Sequence, residues 1–117
     1  MVTTTGSTAT EATLGDGSTK LTIPSNQAFL AIIDVVGKQS SSANVFAGTR
    51  KALIVNNGGT TALNGAVQTV DTDFNDQAWG GIAVTANDGS DYLKIEVTGA
   101  SATTIYWVIR VKLVIAG

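Results

Sequence analysis

The segment TIYWVIRVKLVIA alternates without a break. Ile105, Trp107, Ile109, Val111, Leu113 and Ile115 are all apolar, while Tyr106, Arg110 and Lys112 fall between them. A helix, repeating every 3.6 residues, would scatter these side chains around its surface, whereas a strand sends them all to one side. A strand of this length with one uniformly apolar face must be covered by a second layer. The same period of two returns in DYLKIEVT, where Leu93, Ile95 and Val97 point one way and Lys94, Glu96 and Thr98 the other. No segment carries an amphipathic period of 3.6.

The remaining segments extend this pattern. Leu21 and Ile23 alternate before Pro24, and residues 28–39 form a long strand that is apolar on both faces: Phe29, Ala31, Ile33 and Val35 on one side, Leu30, Ile32 and Val36 on the other. Such a strand is expected to be covered on both sides. Residues 45–55, 66–72 and 79–86 read as further strands. Gly15-Asp16-Gly17-Ser18, Asn56-Asn57-Gly58-Gly59 and Asn87-Asp88-Gly89-Ser90 read as turns. Strands at this spacing predict an all-β, antiparallel β-sandwich, jelly-roll-like, of about eight strands. Residues 20–117 form its single domain. Residues 1–19 read as an extended N-terminal arm: the first 13 are rich in Thr, Ser and Ala, with Val2 as their only larger aliphatic residue. They are expected to order only against a partner, so that removing them leaves the melting temperature nearly unchanged.

Composition narrows the chemistry. The 117 residues contain no Cys and no His. Disulfides, thiolate metal sites and every Ser-His or Cys-His nucleophile pair are thereby excluded. Glu11 and Glu96 are the only glutamates, so the expectation is no enzyme and no cofactor. Seven Lys and Arg against nine Asp and Glu give a net charge of −2. That balance supplies no basic stripe for nucleic acid and no attraction to an anionic membrane. MVTTTGSTATEATLG lacks a charged start followed by an apolar core, so no secretory leader is expected and synthesis in the cytoplasm is.

Three groups of residues invite a functional reading. Asp71, Asp73, Asn75 and Asp76 place oxygens as calcium loops do, but Asp76 stands where such a loop needs Gly and Ile82 where it needs Glu. A solvated loop with Asx turns is the plainer reading. Trp79, Tyr106 and Trp107 could stack on a sugar. Trp107, however, belongs to the apolar face and adjacent Tyr106 must point the other way, which assigns Trp107 to the core. Finally, the second apolar faces need cover. Leu30, Ile32, Tyr106, Val108 and Arg110, with Thr3, Thr4 and Thr5 of the arm, are therefore the expected interface residues. Arg50, Lys51, Arg110 and Lys112 lie mid-strand, either as solvent-facing charges or as partners of Asp34, Glu96 or the acidic loop across subunits.

The stretches IPSNQAFLAIIDVVGKQ, ANVFAGTRKALIVNNGGTTALNGAVQTV, DFNDQAW and ANDGSDYLKIEVTGASATTIYWVIRVKL resemble a small β-domain of tailed-bacteriophage virion proteins, found at tail-fibre tips and in related surface proteins. The Ile23-Pro24-Ser25 step, Asp76 before Trp79, Leu93–Gly99, and Thr104, Ile105, Trp107, Val108 and Arg110 carry that resemblance, which covers about residues 20–117. The family's basic pair in the first long strand is here reduced to Lys38. The resemblance implies a virion structural protein at the virion surface, made in the host cytoplasm. The short arm without a shaft favours a capsid decoration or cement protein, a homo-oligomer (a trimer foremost) that contacts the major capsid protein. The alternative is a tail-fibre or spike tip that binds a host-surface glycan.

Overall fold

The computed structural model describes residues 1–15 and 17–117. Asp16, the second residue of the first expected turn, lies outside them. Ten strands follow in order: β1 (Val2–Thr4), β2 (Thr10–Ala12), β3 (Leu21–Thr22), β4 (Gln27–Gln39), β5 (Val45–Asn57), β6 (Thr60–Leu63), β7 (Gln68–Thr69), β8 (Gly81–Asn87), β9 (Tyr92–Thr98) and β10 (Ile105–Ala116). There is no helix among the described residues. The all-β, antiparallel sandwich expected from the alternation is the observed fold.

The first sheet runs β1-β10-β4-β5-β6, with β7 also beside β5. The second is built around β9. Strand β8 pairs along its whole length, from Gly81↔Thr98 to Asn87↔Tyr92. On the other edge β2 covers Ile95–Val97 and β3 covers Tyr92–Leu93, so these two short strands lie end to end as one interrupted strip. The turn between β5 and β6 is the expected one. Gly58 and Gly59 take φ of 62° and 97°, the pair of positive values that a two-residue hairpin turn of matching twist demands.

Between the sheets lies one core, whose largest fully buried side chains include Trp107, Phe46, Ile23, Ile33, Ile54 and Ile105. Trp107 sits at its centre. Its ring meets Phe46 edge-on at 5.4 Å and Trp79 at 5.9 Å, and its indole N–H donates to the Thr4 hydroxyl at 2.9 Å. Gly37, directly opposite on β4, leaves room for the ring, since a Cβ there would stand 2.7 Å from Trp107 Cε3. Polar groups also tie the sheets together. The buried Asn56 amide donates to the Ile23 carbonyl at 2.8 Å, and the Thr61 hydroxyl donates to Asp91 at 2.8 Å.

Two expectations need correction. Residues 1–13 are not an arm awaiting a partner. Strand β1 pairs with β10, Val2 opposite Trp107 and Thr4 opposite Ile105, while β2 pairs with β9. The chain thus crosses from one sheet to the other between Thr4 and Thr10. Its aliphatic poverty does not matter, because open strand edges supply main-chain hydrogen bonds and threonine tolerates extended structure. Thr4, expected at an interface, is instead buried beneath Trp107. The second correction is to strand count. Besides β1 and β2, β6 was not expected, and the strand expected at 66–72 shrinks to Gln68–Thr69.

Candidate functional site

The outer face of the first sheet is the surface that the fold leaves uncovered. Strand registers place its side chains in rows across β10, β4 and β5: Val108–Val36–Ala47, then Arg110–Asp34–Thr49, then Lys112–Ile32–Lys51, then Val114–Leu30–Leu53. The first and last rows are apolar. Phe74 extends the first, because its backbone bridges Ala47 by hydrogen bonds of 2.8 and 3.0 Å and leaves the ring 74% exposed. Val36, Val70, Val108 and Val114 are exposed as well. A shallow depression of about 240 Å³ lies between Val36, Ala47, Val70 and Phe74. Apolar side chains exposed in two rows of one face make this face the candidate contact surface.

The polar belt between the apolar rows is satisfied from within. Asp34 accepts from Arg110 Nη2 at 2.8 Å and from the Thr49 hydroxyl at 2.9 Å. These two hydrogen bonds, Arg110 first, hold the Asp34 carboxyl below its ordinary value. A carboxylate already paired costs less to cover than a bare one. Lys51 and Lys112 flank Ile32 and can lay their aliphatic stems along the face with the ammonium groups at the rim.

Of the expected interface residues, Leu30, Ile32, Tyr106, Val108 and Arg110 share this face. Leu30 and Ile32 are half-buried and the other three exposed. Thr3 stands opposite Tyr106 at the end of the face, and Thr5 is exposed in the crossing segment. Sequence reasoning missed Phe74 and Leu53. Alternation along β5 would have found Leu53, but Phe74 reaches the face only through the fold of the acidic loop.

That loop does not gather a cation cage. Asp73 and Arg50 form a two-pronged ion pair, both bonds 2.7 Å, and Gly48 makes room for it, since a Cβ there would collide with the Asp73 carboxylate. Asn75 is committed to Trp79, accepting from its N–H and donating to its carbonyl, each at 2.9 Å. Asp71 and Asp76 are exposed, and no cluster of three acidic, His or Cys side chains exists among the described residues. Of the four weak cation candidates, Asp73 and Asn75 are thus already used inside the fold. Arg50 and Arg110 likewise find their carboxylates within the chain, where an exchange across subunits was one expectation. Nor is there an aromatic platform. Trp79 and Trp107 are interior, and Tyr106 alone of the three is exposed.

The Arg50–Asp73 pair has a consequence in acid. The guanidinium holds the Asp73 carboxyl below its ordinary 3.8. A carboxyl depressed on folding adds stability that is present above its unfolded value and lost as pH falls through the folded one. Thermal melts should therefore be flat from neutral pH to about pH 5 and fall below about pH 4. Asp73→Asn should cost about 2 kcal/mol at neutral pH and make that acid limb shallower, leaving the part that Asp34 contributes.

Compared with known families, characterised proteins and solved structures, the chain matches no family model, no curated protein and no solved structure.

Proposed function

We propose that this protein works by binding without chemistry, as a structural protein that assembles with copies of itself through the outer face of the first sheet. The observation that carries this reading is the exposed apolar surface of Val36, Val108, Val114 and Phe74 around an internally paired Arg110–Asp34–Thr49 belt. Covering such a side chain yields up to about 1.5 kcal/mol, so both apolar rows of each copy must be covered together to outweigh the cost of association. The expected assembly is a homotrimer. The particle setting, decoration of a tailed-bacteriophage capsid, is proposed on the resemblance of residues 20–117 alone.

Sedimentation velocity tests the assembly. The wild-type protein should sediment as an oligomer at micromolar concentration. The double variant Val36→Glu, Val114→Glu should sediment as a monomer with an almost unchanged melt, since both side chains are exposed in the single chain and stand in different rows. A wild-type protein that stays monomeric overturns the reading. Immunogold labelling of particles from the source tests the setting, and the absence of label would overturn the capsid role while leaving the oligomer standing.

A further inference from the structure

Strand β10 is longer than the strand beside it. Strand β1 covers only Ile105–Trp107, so Val108–Ala116 has no neighbour on that edge among the described residues. The direction of its main-chain groups follows from the ladder. The Ser40 N–H donates to the Thr104 carbonyl at 3.0 Å, and the β10–β4 register is unbroken from there. Hydrogen-bonding alternates along an antiparallel pair. Ile109, Val111, Leu113 and Ile115 therefore turn their N–H and C=O groups away from β4, toward the open edge, and their side chains toward the inside of the sandwich.

Beside this edge the two sheets do not close. A groove of about 290 Å³ separates β10 from the β2–β3 strip, with Ala12, Leu14, Leu21, Ile95, Ile109 and Val111 among its walls. At its rim Lys20 and Glu11 are paired at 2.6 Å, so neither adds a bare charge there. On the outer side of the same strand stand Arg110, 66% exposed beyond its contact with Asp34, and Lys112, which has no ion-pair partner among the described residues. An open strand edge, a groove under one side with apolar walls and a polar rim, and cations on the other side are the parts of a strand-addition site.

We propose that this flank accepts an extended, acidic segment of another protein as an added strand, antiparallel to Val108–Ala116 and in line with β1. The incoming residues opposite Ile109, Val111 and Leu113 are apolar and enter the groove. Those opposite Arg110 and Lys112 are carboxylates and lie on the outer side, as cross-strand pairing requires. A second copy of the chain is the poorer occupant. Two β10 edges related by a twofold axis at Val111 or Lys112, the centre of the open stretch, set Lys112 against Arg110 or against itself. The site borders the sheet face proposed for self-association and shares Arg110 and Lys112 with it, but its main-chain edge and its groove lie off that face, so amide exchange along the edge distinguishes the two.

The probe is a synthetic, end-capped, fluorescein-labelled peptide of the same length as Val108–Ala116, alternating valine and aspartate. Its binding to the full chain is followed by anisotropy and by amide hydrogen exchange. Saturable binding is expected, with slowed exchange at Ile109, Val111 and Leu113. Lys112→Glu should weaken it roughly fivefold, since an exposed attraction becomes a repulsion, and a peptide with lysine in place of aspartate should not bind the wild-type chain. The proposal is overturned if binding is absent at millimolar peptide, if those three amides are unaffected, or if the lysine peptide binds as well. It is equally overturned if the same amides become protected with rising protein concentration alone, which would make a second copy the occupant.

Discussion

Trp107→Ala is expected to remove about 3–5 kcal/mol, much of the stability of a domain of this size. The residue is fully buried, and four different elements of the fold meet on it. Phe46 of β5 and Trp79 before β8 pack edge-on against the indole, Gly37 of β4 lies against its face, and Thr4 of β1 receives its N–H. Truncation opens a cavity that none of these can fill, because Phe46 is held by β5, the Trp79 backbone by its two hydrogen bonds to Asn75, and the Gly37 backbone has no side chain to move. It also leaves the buried Thr4 hydroxyl without its donor. Tyr106→Ala, one residue away and 43% exposed on the opposite face, should cost the single chain under about 1 kcal/mol. Denaturant melts of both variants decide the point. A larger loss for Tyr106→Ala than for Trp107→Ala would mean that β10 sits one residue out of register, since a slip of one exchanges the two faces.

Most of this framework is legible in the residues, because alternation is a local signal. The uniformly apolar odd positions of β10 and the clean period of two in β9 identify both strands and their inner faces. Ile115 is the exception. It lies on the inner face yet is 53% exposed, because it stands at the unpaired end of an edge. Whether an edge is paired depends on which strand arrives beside it, and no local pattern records that. The same reason hides the role of Asp73. Its spacing from Asp71 and Asn75 suggests a cation, but its partner is Arg50, 23 residues earlier and brought close only when the loop folds back on β5. The outer face is half legible. Leu30, Ile32, Tyr106 and Val108 announce a second apolar side in the sequence, whereas the rows that join them to Leu53 and Phe74 exist only once the strands are in register.

Removing residues 1–9 is expected to lower stability by at least about 3 kcal/mol, a fall of roughly 10–15 °C in melting temperature for a chain of this length. By composition alone this segment is dispensable. Its worth comes from where it lies. Strand β1 closes the edge of β10 over Ile105–Trp107, directly above the most buried part of the core. Without it the indole N–H of Trp107 loses its acceptor, and a buried donor left unpaired costs about 1–3 kcal/mol. The edge main-chain groups of Ile105 and Trp107 lose their partners, and Val2 no longer covers the core. Thr4→Val isolates one part of this. It keeps the shape of the side chain and removes only the hydroxyl, so it should cost about 1–2 kcal/mol, a fraction of the deletion. A truncated chain that melts within about 2 °C of the full one would show that β1 is an ornament on a core already closed. A truncated chain that melts low, together with a Thr4→Val variant that recovers most of the difference, would show that pairing along the edge, more than the single hydrogen bond, holds this end of the sandwich shut.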